Sequence, residues 1–423
     1  MFFFLAFVFS VPFVPPCEKF RRVIMNRFKI FLTIILIAAG GVPHLEAQMT
    51  VSGLLDSSVS LRAGAGDAPA FSYGVEEYAN LRFQAKLRER AVFYGALNFL
   101  AAAGDYAGAY AQMAGFAFYA TPAGISPSPF TGGENYVAGV EIERLYFRLN
   151  GESLDFDGGL LRLPFGYGQV WGSSDFLNPK NPLKPDARPR AVLGAGLSWF
   201  PADEFKLLGF GAAPRDPFSQ SGGGGLAGIS ADRHWDRASL QALYSFESPQ
   251  SGSGRGIHRA GLSVKADLEL GLVMDALYSY NVEAGTGSEG LSFSAGFDYS
   301  LFEGSLIVLA EYLYNGAASS TSLGFGGSFS NENYLYAGLT WLFNDFTSAG
   351  LALVSCFDDV SFTPVLSLNH DLFQGATLIL TAQIPLDCDL FSGDGSRGEL
   401  GPLPPGFSSG SYFNCDVKLR LRF

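Results

Sequence analysis

The sequence predicts an all-β fold, a transmembrane antiparallel up-and-down β-barrel of about 18 strands, and three observations carry that reading. The 423 residues have a mean hydropathy of +0.18, yet after residue 47 no apolar run approaches the roughly 20 residues that a membrane-spanning helix needs. The apolar residues lie instead in short segments of alternating polarity. The clearest segment closes the chain: Phe413, Cys415, Val417, Leu419, Leu421 and Phe423 alternate with Asn414, Asp416, Lys418, Arg420 and Arg422. Period-two alternation marks a strand. In lipid only the helix and the closed barrel satisfy every backbone hydrogen bond, so spanning hydrophobicity without a helical run leaves the barrel.

Residues 1–47 read as a signal-peptide region and residues 48–423 as the barrel. Arg27 and Lys29 supply a positive start, Ile30 to Ala39 an apolar stretch, and Leu45-Glu46-Ala47 a small-residue cleavage site before Gln48. Met1 to Pro16 is a second apolar run without a basic start, so initiation is expected at Met25. Acylation of Cys17 is the alternative, and Pro15 and Pro16 occupy positions where a lipobox takes small residues. Removing residues 1–47 takes away five basic and two acidic residues, leaving 23 basic against 38 acidic, a formal net charge of −15. A net basic footprint is what nucleic acid requires, and it is missing.

Alternating segments of about ten residues then follow one another, separated by Gly, Asn, Asp and Ser. They lie near 49–62, 76–87, 91–102, 140–150, 156–163, 191–200, 205–213, 238–247, 257–266, 271–281, 291–301, 305–315, 333–343, 347–355, 360–370 and 376–386, before the closing strand. That count is odd, whereas bacterial single-chain barrels have even strand numbers. Short turns at 88–90, 151–155 and 201–204 and long connections at 63–75, 104–139 and 164–190 set one alternation of ends. Counting back from the C-terminus, short turns at 371–375, 344–346, 302–304 and 266–269 set another, and the two fall out of phase between 214 and 256. A further strand is expected there, around Gly225 to Arg233, giving 18; 16 is the alternative.

With apolar faces toward lipid, the opposite parity lines the lumen. This places a basic wall of Arg82, Arg144, Arg148, Arg162, Lys418 and Arg420 opposite an acidic wall of Asp275, Asp298 and Glu311. A transverse field of that kind orients dipolar solutes and tunes ion selectivity; the competing reading is that these charges only pair to fill the lumen. The arrangement resembles general porins, whose constrictions set arginines against acidic residues. The closing strand ending in Phe423 resembles that of Gram-negative outer-membrane barrels, whose terminal aromatic belongs to the signal read by the barrel-assembly machinery. The resemblance implies an outer-membrane location in a diderm bacterium, with membrane lipid, that machinery and small solutes or ions as partners. Homo-oligomers occur among porins, but no interface signature is legible.

The connection 164–190 opens Pro-Phe-Gly-Tyr-Gly-Gln-Val-Trp and carries Trp171, Asp175, Lys180, Lys184, Arg188 and Arg190 among four prolines. Proline lowers the entropy of a long loop, so an ordered constriction folded into the channel is expected, against a surface loop packed on its neighbours. Gly159 to Gly166 matches Gly-x-x-Arg-x-Pro-Phe-Gly, a segment that resembles porin-like families. The connection 104–139 is aromatic and almost uncharged, with Tyr106, Tyr110, Phe116 and Phe118, the composition of a contact patch, hatch or lipid-facing rim.

Nothing points to an enzyme or a cofactor. After residue 47 the histidines are His234, His258 and His370, each isolated in sequence, with no nucleophile or metal signature. Asp387, Asp389, Asp394 and Glu399 fail the EF-hand spacing and read as a solvated acidic loop. Cys356 and Cys388 fall in adjacent external connections, where an oxidising compartment allows a disulfide between them, with two separate thiols as the alternative. The reading is therefore passive diffusion of small hydrophilic solutes through a charged lumen. The alternatives are a surface-exposed adhesion or host-interaction barrel, and a transporter of apolar solutes.

Overall fold

The computed structural model describes residues 47–64, 70–87, 90–104, 130–133, 136–178, 180, 182–183, 191–213, 225–248, 256–281, 290–316, 329, 331–386, 400 and 412–423. The proposed signal region, the acidic loop 387–399 and most of the aromatic connection 104–139 lie outside these residues. So do Lys184, Arg188, Arg190 and Cys388.

The described residues from 49 onward form one antiparallel sheet in which each long strand pairs with the next in sequence, and the last pairs with the first. The strands are β1 Ala47–Gly64, β2 Ala70–Leu87, β3 Ala91–Gly104, β4 Phe130–Gly133, β5 Tyr136–Asn150, β6 Leu154–Leu161, β7 Val192–Ala202, β8 Phe205–Ala212, β9 Leu226–Trp235 and β10 Ala238–Glu247. They continue with β11 Ile257–Asp267, β12 Gly271–Asn281, β13 Leu291–Leu301, β14 Leu306–Asn315, β15 Asn333–Asn344, β16 Thr347–Cys356, β17 Ser361–Phe373, β18 Ala376–Gln383 and β19 Tyr412–Arg422. The four-residue β4 pairs with β5 alone, while β3 passes it to pair with β5 directly. Eighteen strands therefore close the barrel.

The expected extra strand is β9. Its outward face carries Arg233, stacked 5.0 Å over the Trp235 ring, and its other outward residues include Ala227 and Ala231. Small residues and a charge on the lipid side blur the alternation that marks its neighbours. Closure runs through eleven residue pairs, from Leu54 opposite Arg422 to Gly64 opposite Tyr412, and the Phe423 N–H donates to the carbonyl of Gly53. Closing the sheet removes the open edges that would otherwise template aggregation.

The outer face carries two aromatic girdles. Trp199, Trp235, Trp341, Phe343, Phe373 and Phe423 are exposed at the short-turn end, and Phe71, Tyr73, Tyr136, Tyr244, Tyr280 and Phe413 at the other. Aromatic rings of this kind sit at the two membrane–water interfaces.

One polar pair interrupts the band between them. Ser57, whose cross-strand partner is Leu419 midway between Phe413 and Phe423, has lipid-side parity. Its hydroxyl donates to Glu77 Oε2 at 2.6 Å. A carboxyl at mid-membrane depth on the lipid face costs stability. Glu77→Leu is expected to stabilise the barrel by about 1–2 kcal/mol, measured by urea unfolding in lipid vesicles. A loss of stability would show that the pair contributes more than its desolvation costs.

Candidate functional site

The site is built around the chain between β6 and β7. After Leu161 the backbone turns into the lumen and lies along the inner face of β8–β16, so that residues 164–178 become an internal partition. Two apolar clusters seat it. Leu163 and Phe165 pack with Leu208, Phe210, Leu243 and Leu277, the Phe165 ring lying 4.9 Å from Phe210. Val170 and Trp171 pack with Leu313, Tyr334, Val354 and Cys356. The Trp171 ring meets Phe329 edge-on at 5.0 Å, and its Nε1–H donates to the backbone carbonyl of Glu311 at 3.1 Å.

Between the clusters, the barrel wall holds the loop by its own amides. The N–H groups of Tyr167 and Gly168 donate to Asp275 Oδ1 and Oδ2 at 2.9 and 2.8 Å. Those of Gln169, Val170 and Trp171 donate to the Glu311 carboxylate at 2.9, 2.9 and 3.0 Å. Gly166 N–H reaches Gln241 Oε1 at 2.6 Å. Runs of successive N–H groups make concave anion cradles, and here two wall carboxylates fill them. The glycines are required by this approach. Gly166 has φ +78°, and a Cβ added there would fall 2.5 Å from Asp275 Oδ2. At Gly168 it would meet Gly172 at 2.6 Å.

This corrects the expected acidic wall. Asp275 is 0% and Glu311 1% exposed, so neither lines open space; both bind the loop, because five backbone amides that left water need acceptors. Asp298 stays half-buried and takes the Gln169 side-chain amide at 2.6 Å. Trp171 at 0% and Asp175 at 4% exposure are likewise anchors and not channel-facing groups. Lys180 Nζ donates to the Gly168 carbonyl at 2.5 Å, tying the loop to itself. Cys356 carries a buried thiol whose sulfur fills space beneath Trp171 in the second cluster; Cys388, its candidate disulfide partner, lies outside the described residues.

Asp175 closes the loop on its own start. Its Oδ1 accepts the Asn178 N–H at 3.1 Å, and Asn178 Oδ1 accepts the Leu163 N–H at 3.0 Å. Burial pushes the Asp175 carboxyl up to about 8, against the opposing pull of the Asn178 N–H and Lys180. A folded value above the unfolded one near 4 gives stability that is fully present below pH 4 and is lost as pH rises through about 8. Loop seating is therefore expected to be firmer at pH 5 than at pH 8.5, read as fewer conductance fluctuations in a planar bilayer. Asp175→Asn should abolish the difference; an unchanged pH dependence in that variant contradicts the assignment.

The other half of the lumen carries the basic residues. A bulge where β3 meets β5, between Ala96 and Leu97 and opposite Arg144 and Ile142, turns the successive residues Glu143 and Arg144 to the same inner face. Glu143 accepts from Arg162 Nη2 at 2.9 Å and from Asn80 Nδ2 at 2.6 Å, and lies 3.6 Å from Arg144 Nε. Arg144 donates to the Tyr94 hydroxyl at 2.9 Å and lies 4.7 Å over that ring. Arg82 Nε donates to Asn80 Oδ1 at 2.6 Å. Two guanidinium groups thus share one carboxylate, and the Nε–H groups of Arg144 and Arg162 are buried without hydrogen-bond partners.

The rest of the expected basic wall is more evenly matched. Arg420 forms a two-pronged pair with Asp56 at 2.8 Å on both arms, and Arg148 one with Asp157 at 2.6 and 3.1 Å. Lys418 faces the same side, its cross-strand neighbours being Ser58 and Ile379. Sequence reasoning missed Glu143, Asp56 and Asp157 as partners, although the inward parity of Asp56 and Asp157 was readable. Glu143 was not, because the bulge breaks the period at that residue.

The three histidines stay apart. His234, His258 and His370 each meet one hydroxyl, of Ser239, Tyr244 and Thr347, at 3.0, 2.8 and 3.0 Å. Among the described residues no cluster of metal-ligating side chains occurs.

No family model matches the sequence, and no curated protein does. Solved structures match along most of the chain. OpdQ of Pseudomonas aeruginosa is 12% identical, with a TM-score of 0.51 over 89% of this chain and 97% of its own. OccAB1 of Acinetobacter baumannii is 10% identical, with a TM-score of 0.51 over 89% and 96%. OccK2 (OpdF) of Pseudomonas aeruginosa, solved in complex with glucuronate, is 10% identical, with a TM-score of 0.51 over 89% and 98%. With these structures the chain shares its fold, which here is a closed eighteen-stranded antiparallel barrel.

Proposed function

We propose that the protein is an outer-membrane diffusion channel for small hydrophilic solutes, narrowed by residues 164–178 and biased toward anions by Arg82, Arg144 and Arg162. The observation that supports this best is the division of charge. The acidic residues Asp275 and Glu311 are taken up by loop amides, whereas on the opposite wall Arg144 and Arg162 share the single carboxylate of Glu143. Two guanidinium groups on one carboxylate leave an excess of positive charge in a low-dielectric wall, which favours carboxylates and other anions. Transport is passive, since selection by a fixed field along a water path needs no chemistry on the solute. The structural neighbours include a glucuronate complex and one with vanillate, OpdK, and both ligands carry a carboxylate.

A liposome-swelling assay tests this reading. Proteoliposomes of residues 48–423 should admit small monocarboxylates faster than neutral sugars of similar size, while empty liposomes admit neither. Equal rates for both solutes contradict the anion bias, and no swelling with either contradicts the channel.

A further inference from the structure

A groove on the outer surface at the short-turn end plays no part in solute passage. Leu87, Ala91, Leu149, Phe156 and Leu197 stand in one cross-strand row over β2, β3, β5, β6 and β7, each in register with the next. They share the lipid-facing parity of exposed Phe147, whose ring packs 5.5 Å from Phe156. Ala91 is the smallest member, so the row dips there into a trough of about 730 Å³.

The lip of the trough is polar and fixed. Asn150 N–H donates to the Arg90 carbonyl at 2.7 Å, which binds the β2–β3 turn to the β5–β6 turn. Gly151 N–H donates to the Leu154 carbonyl at 2.8 Å, and a Cβ at Gly151 would fall 2.5 Å from that oxygen. The two turns bring Arg90 Nη2 within 3.6 Å of Glu152 Oε1, with the side chains 75% and 91% exposed. An ion pair so exposed holds its members weakly, which leaves both charges open to a ligand.

We propose that this groove binds one aminophospholipid of the inner leaflet, with an acyl chain in the trough, the phosphate on Arg90 and the ammonium on Glu152. The leaflet assignment rests on the outer-membrane reading above. An apolar trough open to the membrane gains from burying hydrocarbon, and a lip carrying both signs matches a zwitterionic headgroup. A purely anionic headgroup meets Glu152 as a like charge.

Native mass spectrometry of the folded chain 48–423 with equimolar phosphatidylethanolamine and phosphatidylglycerol of identical chains tests this. The folded protein should retain one phosphatidylethanolamine over phosphatidylglycerol by about fivefold, Glu152→Gln should bring the ratio close to one, and Ala91→Phe, which fills the trough, should lower retention of both. Equal retention by the unaltered protein, or a preference that survives Glu152→Gln, overturns the proposal. Conductance recorded on the same preparation separates the two readings. A silent barrel that keeps its lipid preference counts against the channel alone, and a conducting barrel without the preference counts against this site alone.

Discussion

Glu311→Ala is expected to release the internal loop and raise single-channel conductance severalfold while the barrel stays closed. Three backbone amides donate to this carboxylate at 2.9 to 3.0 Å, and it is almost fully buried. Bonds to a charged acceptor contribute about 1.5–3 kcal/mol each, and removal strands three buried donors. The variant therefore loses on the order of 5 kcal/mol at the loop, the lower end for three such bonds. The barrel itself rests on strand pairing around the full ring, which the substitution leaves untouched, so heat-resistant migration on a gel should persist. Asp275→Ala should act in the same direction with a smaller effect, since two amides depend on it. Conductance equal to that of the unaltered protein in both variants would show that the loop is held by its apolar clusters alone.

The second large effect concerns ion choice. Neutralising Arg82, Arg144 and Arg162 to glutamine together should abolish the anion preference and turn the channel toward cations, because Glu143, and Glu141 joined to it through Asn80 and Asn98, then set the local charge. Arg420→Gln should shift selectivity far less, since this residue is matched by Asp56 through two bonds and its loss exposes one carboxylate in place of a neutral pair. Reversal potentials in a salt gradient read both variants. Equal shifts would mean that a general lumen charge and not this cluster sets the field.

The barrel was legible because lipid imposes the period-two pattern on every span, and Leu291 to Leu301 or Tyr412 to Arg422 show it plainly. Even β9 was recoverable from topology, since an even strand number and alternating connection lengths located the gap that Arg233 and its small neighbours obscured. The inward parity of Asp275 and Glu311 was legible too, but their use was not. Parity states which side a residue faces and says nothing about what arrives there from a loop more than a hundred residues away. The run Gly166-Tyr167-Gly168-Gln169-Val170-Trp171 carried the relevant signal, two glycines that admit close backbone approach followed by an aromatic anchor. Its acidic partners only become visible in three dimensions. Glu143 escaped for a different reason: the bulge beside it reverses the parity rule for one residue.

The reversal potential of single channels formed by residues 48–423 in a planar bilayer under a potassium chloride gradient tests the anion-biased channel most directly. Steady openings of small conductance with a preference for chloride are the predicted result. A folded barrel that passes no current, or one that prefers potassium, would contradict it.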